Sequence, residues 1–306
     1  MANSNGWGDG SANNTIGWGQ GANNSINWGK SHSLSNAGLT DIVGVAGEPT
    51  YDTNAAAFFS SAGITDVTQK IAINNLVIGL KADGLWTSMY AIYPFVGGTA
   101  STHKWNLKDP RDLNVAYRLQ FNGGMTHSSN GILFNGTNGW ADTSATNTTA
   151  TFGAYTRNAT DNGADYMGTQ DSEFIEDEFS YWQLINGFQV SHSTFIISYG
   201  FAFASTNNTI RTGLNTVTND GSQKYYKNGV LKNTASSVFL GSPSINMGIG
   251  AINPNSNTQG GTFGIEGYSN QQIAFAFMAN SSFNANQNLN LYTRVQAFQT
   301  ALSRNV

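Results

Sequence analysis

The sequence predicts a mainly β protein: an antiparallel jelly-roll sandwich with short flanking helices and an extended N-terminal attachment segment. Three observations carry that prediction. From about Leu113 to Met278, apolar and polar residues alternate with period two, interrupted by Asn/Gly/Ser/Thr turns. Gln223 to Asn233 reads as a tight hairpin, because Asn228-Gly229 supplies two positions that accept positive φ between short strands, and such a hairpin needs a second sheet to cover it. Only 10% of the 306 residues are charged against 35 glycines, so solubility comes from amides and hydroxyls, a turn-rich composition.

Taken in order, the chain divides into 1–48, 49–92, 93–282 and 283–306. The first segment repeats Gly6-Trp7-Gly8, Ile16-Gly17-Trp18-Gly19 and Ile26-Asn27-Trp28-Gly29 with a period of 10 or 11 residues. One Ile and one Trp per unit are too little apolar surface for a unit to bury by itself, so Trp7, Trp18, Trp28, Ile16 and Ile26 are expected to pack on a partner. In 49–92 the period becomes helical. Asp66 to Gln69 spells a capping box, Val67, Ile71, Val77 and Leu80 are read as one apolar face, and Gly84 closes the helix. Leu85 to Tyr93 is expected to add a helical turn before Pro94 stops it, completing a small collar.

Within 93–282, Ser193 to Ser205 reads as one long strand, with Phe195, Ile197, Tyr199, Phe201 and Phe203 on one side. Thr151 to Arg157, Phe179 to Ile185, Ile245 to Gly250 and Gln272 to Met278 supply further strands. Asn284 to Gln287 is a second capping signal, and Leu291, Val295, Phe298 and Leu302 then mark a C-terminal helix docked on the sandwich.

Composition excludes several classes of function. A net charge of −4 without clustered Lys or Arg leaves no footprint for nucleic acid. With no cysteine there is neither a disulfide framework nor a thiolate nucleophile. No apolar run is long enough to span a bilayer, and Met1 to Lys30 has neither a basic start nor an apolar core of the kind an export signal carries. The expectation is a protein built for the outside that leaves its host cell inside an assembled particle.

The spelling Tyr226-Lys227-Asn228-Gly229-Val230-Leu231 resembles a hairpin of laminin-G and concanavalin-like lectin sandwiches. A broader resemblance rests on three blocks in order: the Trp-Gly repeats leading into Thr40-Asp41-Ile42-Val43-Gly44, the run from Ala91 to Asp112 (AIYPFVGGTASTHKWNLKDPRD), and Gln271 to Phe277 (QQIAFAF) with the helix after it. Together they resemble structural proteins of tailed phages infecting Bacteroidetes, crAss-like phages included. That resemblance implies a virion component made in the bacterial cytoplasm, a head or tail fibre or capsid decoration. Its N-terminus would dock on other virion proteins, its lectin-like domain would be displayed outward, and its copies would form a dimer or trimer. It leaves open a role in adhesion to host-surface glycan. The alternative is a polysaccharide depolymerase of the concanavalin-like hydrolase type.

Candidate chemistry is sparse. Asp161, Asp165 and Asp171 lie in an acidic stretch free of Lys and Arg and would suit Ca2+, although the EF-hand pattern fails and a solvated acidic face is the more usual reading of such a run; no other cofactor is expected. In Glu176-Asp177-Glu178, strand pleating would set the two glutamates about 7 Å apart, inside the inverting range of about 6.5–9.5 Å, but the Glu-x-Asp-x-Glu spacing of the concanavalin-like hydrolases is missing. His32, His103, His127 and His192 show no metal-ligand spacing. The loop carrying His103-Lys104-Trp105 and Asp109 to Asp112 reads as pinned by local ion pairs. A sugar-binding face needs an aromatic platform beside amides, and Trp140 and Tyr166, in polar and turn-like sequence, are the candidates.

Overall fold

The computed structural model describes residues 50–146, 150–158, 165–173, 182–191, 194–199, 202–207, 212–220, 222–236, 246–254 and 268–306. The helices are α1 (Thr53–Ala62), α2 (Val67–Ala82), α3 (Ala100–His103) and α4 (Ala285–Ala301). The strands begin with β1 (Met89–Tyr93), β2 (Gln120–Asn122), β3 (Met125–Ser128), β4 (Gly131–Phe134), β5 (Trp140–Thr146) and β6 (Thr151–Thr156). They continue with β7 (Asp165–Glu173), β8 (Trp182–Ser191), β9 (Thr194–Tyr199), β10 (Ala202–Asn207) and β11 (Gly213–Asn219). The last five are β12 (Ser222–Lys227), β13 (Val230–Ser236), β14 (Asn246–Ile249), β15 (Ile252–Pro254) and β16 (Gln272–Ala279).

These strands form two eight-stranded sheets. Sheet A runs β13-β12-β11-β6-β16-β4-β3 with β1 also on β16, and sheet B runs β10-β9-β8-β7-β14-β5-β2 with β15 on β7. Among the described residues all pairs are antiparallel except β15 with β7. One core fills the space between the sheets: Tyr93, Phe134, Phe152, Val217, Tyr225 and Met278 from sheet A meet Ala141, Met167, Met247 and Ile249 from sheet B. A second core lies on the other face of sheet A, where Phe58, Ile73, Leu76, Leu80, Leu291, Val295 and Phe298 of the helices cover Ile92, Tyr155, Leu214, Phe275 and Phe277. The fold is therefore the expected antiparallel sandwich, with a helical layer on one sheet. β16 shows why its sequence is almost wholly apolar: Ile273, Ala276 and Met278 enter one core and Phe275, Phe277 and Ala279 the other.

Local chemistry explains the helix ends. Asn284 and Gln287 form the full capping box, each side chain accepting the other's backbone N–H at 2.9 Å. At α2 only half of the expected box forms. Asp66 accepts the Gln69 N–H at 2.8 Å, but the Gln69 side chain turns away and accepts the Gly97 N–H at 2.9 Å. The apolar face proposed for α2 is also corrected. Val77 and Leu80 are buried with Ala72, Ile73 and Leu76, whereas Val67 and Ile71 are 59% and 45% exposed. At about 100° per residue, the pair 67 and 71 centres about 130° around the helix from the pair 77 and 80, and the four spread over about half the circumference, so no single face buries all of them.

Two other expectations are overturned. Leu85 to Tyr93 does not prolong α2: Gly84 at φ 70° ends it, Ser88 and Met89 donate back to the Leu85 carbonyl, and the chain enters strand β1. Ile92 pairs with Phe277 of β16 and is buried in the helix-side core, while Ala91 and Tyr93 enter the sandwich core. A segment buried on both faces carries an apolar run that a strand and a helix share. Ser193 to Ser205 is two strands. β9 and β10 form a hairpin in which Tyr199 pairs with Ala202 and Phe203 with Ser198, so the chain reverses where an unbroken strand would have run about 40 Å. The segment expected from Phe179 to Ile185 overlaps only the start of β8, whereas those at Thr151, Ile245 and Gln272 appear as β6, β14 and β16.

The hairpin of β12 and β13 forms as read, with Asn228 at φ 50° and Gly229 at φ 76°. Asn228 also accepts the Leu214 N–H at 2.9 Å, tying the turn to β11. A Cβ on Gly229 would lie 2.8 Å from the Leu289 Cα, so the turn sits directly on the first turns of α4.

Beyond α4 lies Arg304, which is 1% exposed. Its guanidinium donates to the carbonyls of Phe95 (2.8 Å), Pro94 (3.1 Å), Ala274 (3.2 Å) and Ser129 (3.3 Å), and to the Gln299 side chain (2.9 Å). Burial pushes it down to about 9, which leaves it charged at neutral pH.

Candidate functional site

Trp140 lies in a strand and not in a turn, and its surroundings are what make it a candidate. It is the first residue of β5, paired with Asn122 of β2, and the pairs Ala141 with Phe121 and Asp142 with Gln120 follow. Ala141, Thr143 and Ala145 are buried, so the pleat turns Trp140, Asp142 and Ser144, all half-buried, to the outer face of sheet B. Polar groups gather beside the indole. Asp142 accepts the Ser144 N–H at 2.7 Å and the Asn246 side-chain amide at 3.2 Å. Gln120 donates to the Ser144 hydroxyl at 3.1 Å, and the Asn122 amide donates to the Gln120 carbonyl at 3.1 Å.

The rim that leads into Trp140 is held by its own amides. The Asn135 side-chain oxygen accepts the N–H groups of Thr137, Asn138 and Gly139 at 3.0, 3.1 and 3.0 Å. The Asn138 oxygen accepts the Asn135 amide at 2.7 Å and the Gly124 N–H at 2.9 Å. This ordered turn fixes the start of β5, so the indole is presented from a set backbone position. A ring for the C–H face of a pyranose, next to a carboxylate and several amides for its hydroxyls, is the chemistry the face offers. Sequence reading found Trp140 and missed Gln120, Asn122, Asp142, Ser144 and Asn246. The available signal was the alternation Trp140-Ala141-Asp142-Thr143-Ser144-Ala145, small residues inward and polar ones outward.

Tyr166 is likewise in a strand, β7, at an irregularity in its pairing with β8. Ile249 of β14 pairs with both Ala141 and Met167, so the backbone positions of Trp140 and Tyr166 lie at the same end of sheet B with β14 between them. The proposed cation trio does not assemble. Asp165 and Asp171 are six residues apart on extended β7, about 20 Å, whereas ligands of one Ca2+ lie within about 2.6 Å of it. Asp161, the Glu176 and Glu178 pair, and the repeat residues Trp7, Ile16, Trp18, Ile26 and Trp28 lie outside the described residues.

One contact has no counterpart in the sequence reading. His103 of α3 and His127 of β3, 24 residues apart, meet with their Nδ1 atoms 3.0 Å apart. Phe95 and Phe121 flank the two rings. Burial, with the charges of His127 and Arg304 adding to it, pushes His103 down to about 3, and burial lowers His127 as well. At neutral pH both rings are therefore uncharged, one Nδ1 donating and the other accepting. The adjoining loop is pinned as expected: Lys104 and Arg118 both pair with Asp112, and Arg111 pairs with Asp109.

No family model and no curated protein matches this chain. Among solved structures it is similar to Trypanosoma rangeli sialidase in complex with sialic acid, at 13% identity and a TM-score of 0.46 over 72% of this chain and 38% of that one. It is also similar to the receptor binding domain of botulinum neurotoxin C/D mosaic serotype, at 11% identity and a TM-score of 0.38 over 68% of this chain and 51% of that one. The binding domain of botulinum neurotoxin DC in complex with SialylT aligns at 10% identity and a TM-score of 0.42 over 69% of this chain and 52% of that one. The chain thus spans well under half of the sialidase's length and about half of the toxin domains'.

Proposed function

We propose that this chain is a non-enzymatic structural protein of a tailed-phage virion, a head or tail fibre or capsid decoration that docks through its N-terminal Trp-Gly repeats and holds its sandwich outward. The observation that carries the reading is the way sheet A is enclosed: residues after Tyr51 cover one face with helices and the other with sheet B. Among the described residues, both cores are built from residues after Thr50. Two of the three blocks that resemble phage structural proteins also meet in sheet A, since Ala91 to Tyr93 of β1 pair with Ala276 to Met278 of β16. The partners are other virion proteins and further copies of the chain. Among the described residues no helix is long and apolar enough to cross a membrane.

Particles assembled with Trp7, Trp18 and Trp28 all changed to alanine test the docking. Burying each indole contributes a few kcal/mol, so the triple variant should fold and yet be missing from purified particles. Incorporation at the wild-type level would overturn the reading.

The cluster around Trp140 favours one more specific role, adhesion to a neutral host-surface polysaccharide. Trp140→Ala is expected to weaken binding to host capsule at least about tenfold, the loss of a stacking contact worth roughly 1.4 kcal/mol. The same incubations should release no new reducing ends. Unchanged binding removes the adhesive role, and reducing-end release removes the non-enzymatic one.

A further inference from the structure

Asn215 of β11 and Lys227 of β12 are direct cross-strand partners. Both are buried, at 1% and 5% exposure. They lie on the sandwich side of sheet A, since Val217 and Tyr225, two residues away along each strand, belong to the core between the sheets. Lys227 Nζ is 3.1 Å from Asn215 Oδ1. The Tyr225 hydroxyl donates to that same oxygen at 2.9 Å. On its other side, Asn215 Nδ2 donates to the Thr156 hydroxyl at 3.3 Å and to the Gly213 carbonyl at 3.2 Å. The carboxamide carbon is thus one bond beyond an oxygen that an amine and a phenol both touch, and its nitrogen faces a hydroxyl.

We propose that Lys227 and Asn215 are a site of self-formed covalent cross-linking, in which the lysine amine displaces the asparagine amide nitrogen to leave an isopeptide bond between β11 and β12. The Nζ lone pair attacks Cγ of Asn215 and forms the new C–N bond. The Tyr225 O–H stabilises the negative charge that builds on Oδ1, as an oxyanion-hole donor does. The Cγ–Nδ2 bond then breaks. Nδ2 departs as ammonia with the proton that the attacking nitrogen sheds, relayed by the Thr156 hydroxyl beside it. One amide replaces another, so no oxidant, reductant or further reactant is needed.

The environment suits each requirement. Attack needs an uncharged amine, and burial, with the charge of Lys232 adding to it, pushes Lys227 down to about 7 from an ordinary 10.5. Direct cross-strand pairing holds the two side chains together before reaction, which removes most of the entropic barrier of bringing them together. The burial of both side chains limits the water that can compete for the amide carbon. Without cysteine the chain has no disulfide available to join its strands. An amide here would fasten the hairpin of β12 and β13, at the end of sheet A, to β11.

Intact-mass measurement of the purified full-length chain tests the proposal. The expected result is a mass lower than that of the sequence by one ammonia, with a digest containing one branched peptide that joins Lys227 to Asn215. Lys227→Arg and Asn215→Ala should each return to their full sequence mass, and Tyr225→Phe should give a slowly closing mixture. A wild-type mass equal to that of the sequence after prolonged incubation at neutral to mildly alkaline pH overturns it. So does ammonia loss without the branched peptide, the mark of a succinimide elsewhere. The deciding readings are made on the wild-type chain and do not depend on the folding of any variant.

Discussion

Arg304→Leu is expected to lower the melting temperature by roughly 10 °C, corresponding to about 3–5 kcal/mol of lost stability. Its guanidinium is the shared donor for the carbonyls of Pro94, Phe95, Ser129 and Ala274 and for the Gln299 side chain. Those acceptors come from the segment after β1, the β3–β4 turn, β16 and α4, so one planar fork ties the C-terminus to sheet A and to the segments flanking α3. Leucine supplies bulk and no donors, so the Pro94 and Phe95 carbonyls lose this buried partner and Ala274 keeps the Gln299 side-chain amide at 3.4 Å. Arg304→Lys keeps the charge but has three donors on a single atom, too few and too close together for five acceptors, so it should recover only part of the loss. Calorimetry of the three proteins checks this. A leucine variant that melts within about 2 °C of wild type would show that the carbonyls find other donors.

Acidification should destabilise the fold well before its carboxylates protonate, and His103 is the cause. An unfolded histidine titrates near 6.5, whereas the buried ring titrates at about 3. Between those values the unfolded chain binds a proton that the folded chain does not, so stability is fully present above 6.5 and falls as the pH drops toward 3. The slope approaches about 1.4 kcal/mol per pH unit while the difference persists. The geometry gives the same sign. A charged His103 imidazole would be forced in beside the buried Arg304, and the Nδ1-to-Nδ1 contact of 3.0 Å, which one added proton leaves intact, is broken once both rings are charged. The lowered carboxylates, Asp52, Asp83, Asp109, Asp112 and Asp220, act in a separate window that begins near 3.8 and extends below it. Urea midpoints from neutral pH to about pH 4.5 therefore isolate the histidines. His103→Phe, which suits the Phe95 contact and cannot protonate, should flatten most of that slope. Equal slopes in wild type and variant would assign the acid sensitivity elsewhere.

What could be read from the chain alone was whatever a few neighbouring residues decide. Asn228-Gly229 forms its turn because both positions need positive φ and both residues tolerate it. Asn284 and Gln287 cap α4 because the two side chains reach each other's N–H within one turn. Period two announced the sandwich, and the 4-3-4 spacing of Leu291, Val295, Phe298 and Leu302 announced which face of α4 is buried. Tertiary structure decided what depends on a second segment. β1 is a strand because β16 offers it an edge and two cores cover it, and an apolar run of that length suits a strand and a helix equally. The Ser193 segment folds back because its own second half completes the pairing of the first. The outer face around Trp140 exists only once β2 and β14 set Gln120, Asn122 and Asn246 beside β5. His103 meets His127, and Lys227 meets Asn215, through register and packing between segments that local spacing does not encode. Dihedral preference and capping act over three or four residues, whereas register and burial are settled by whichever distant strand arrives beside them.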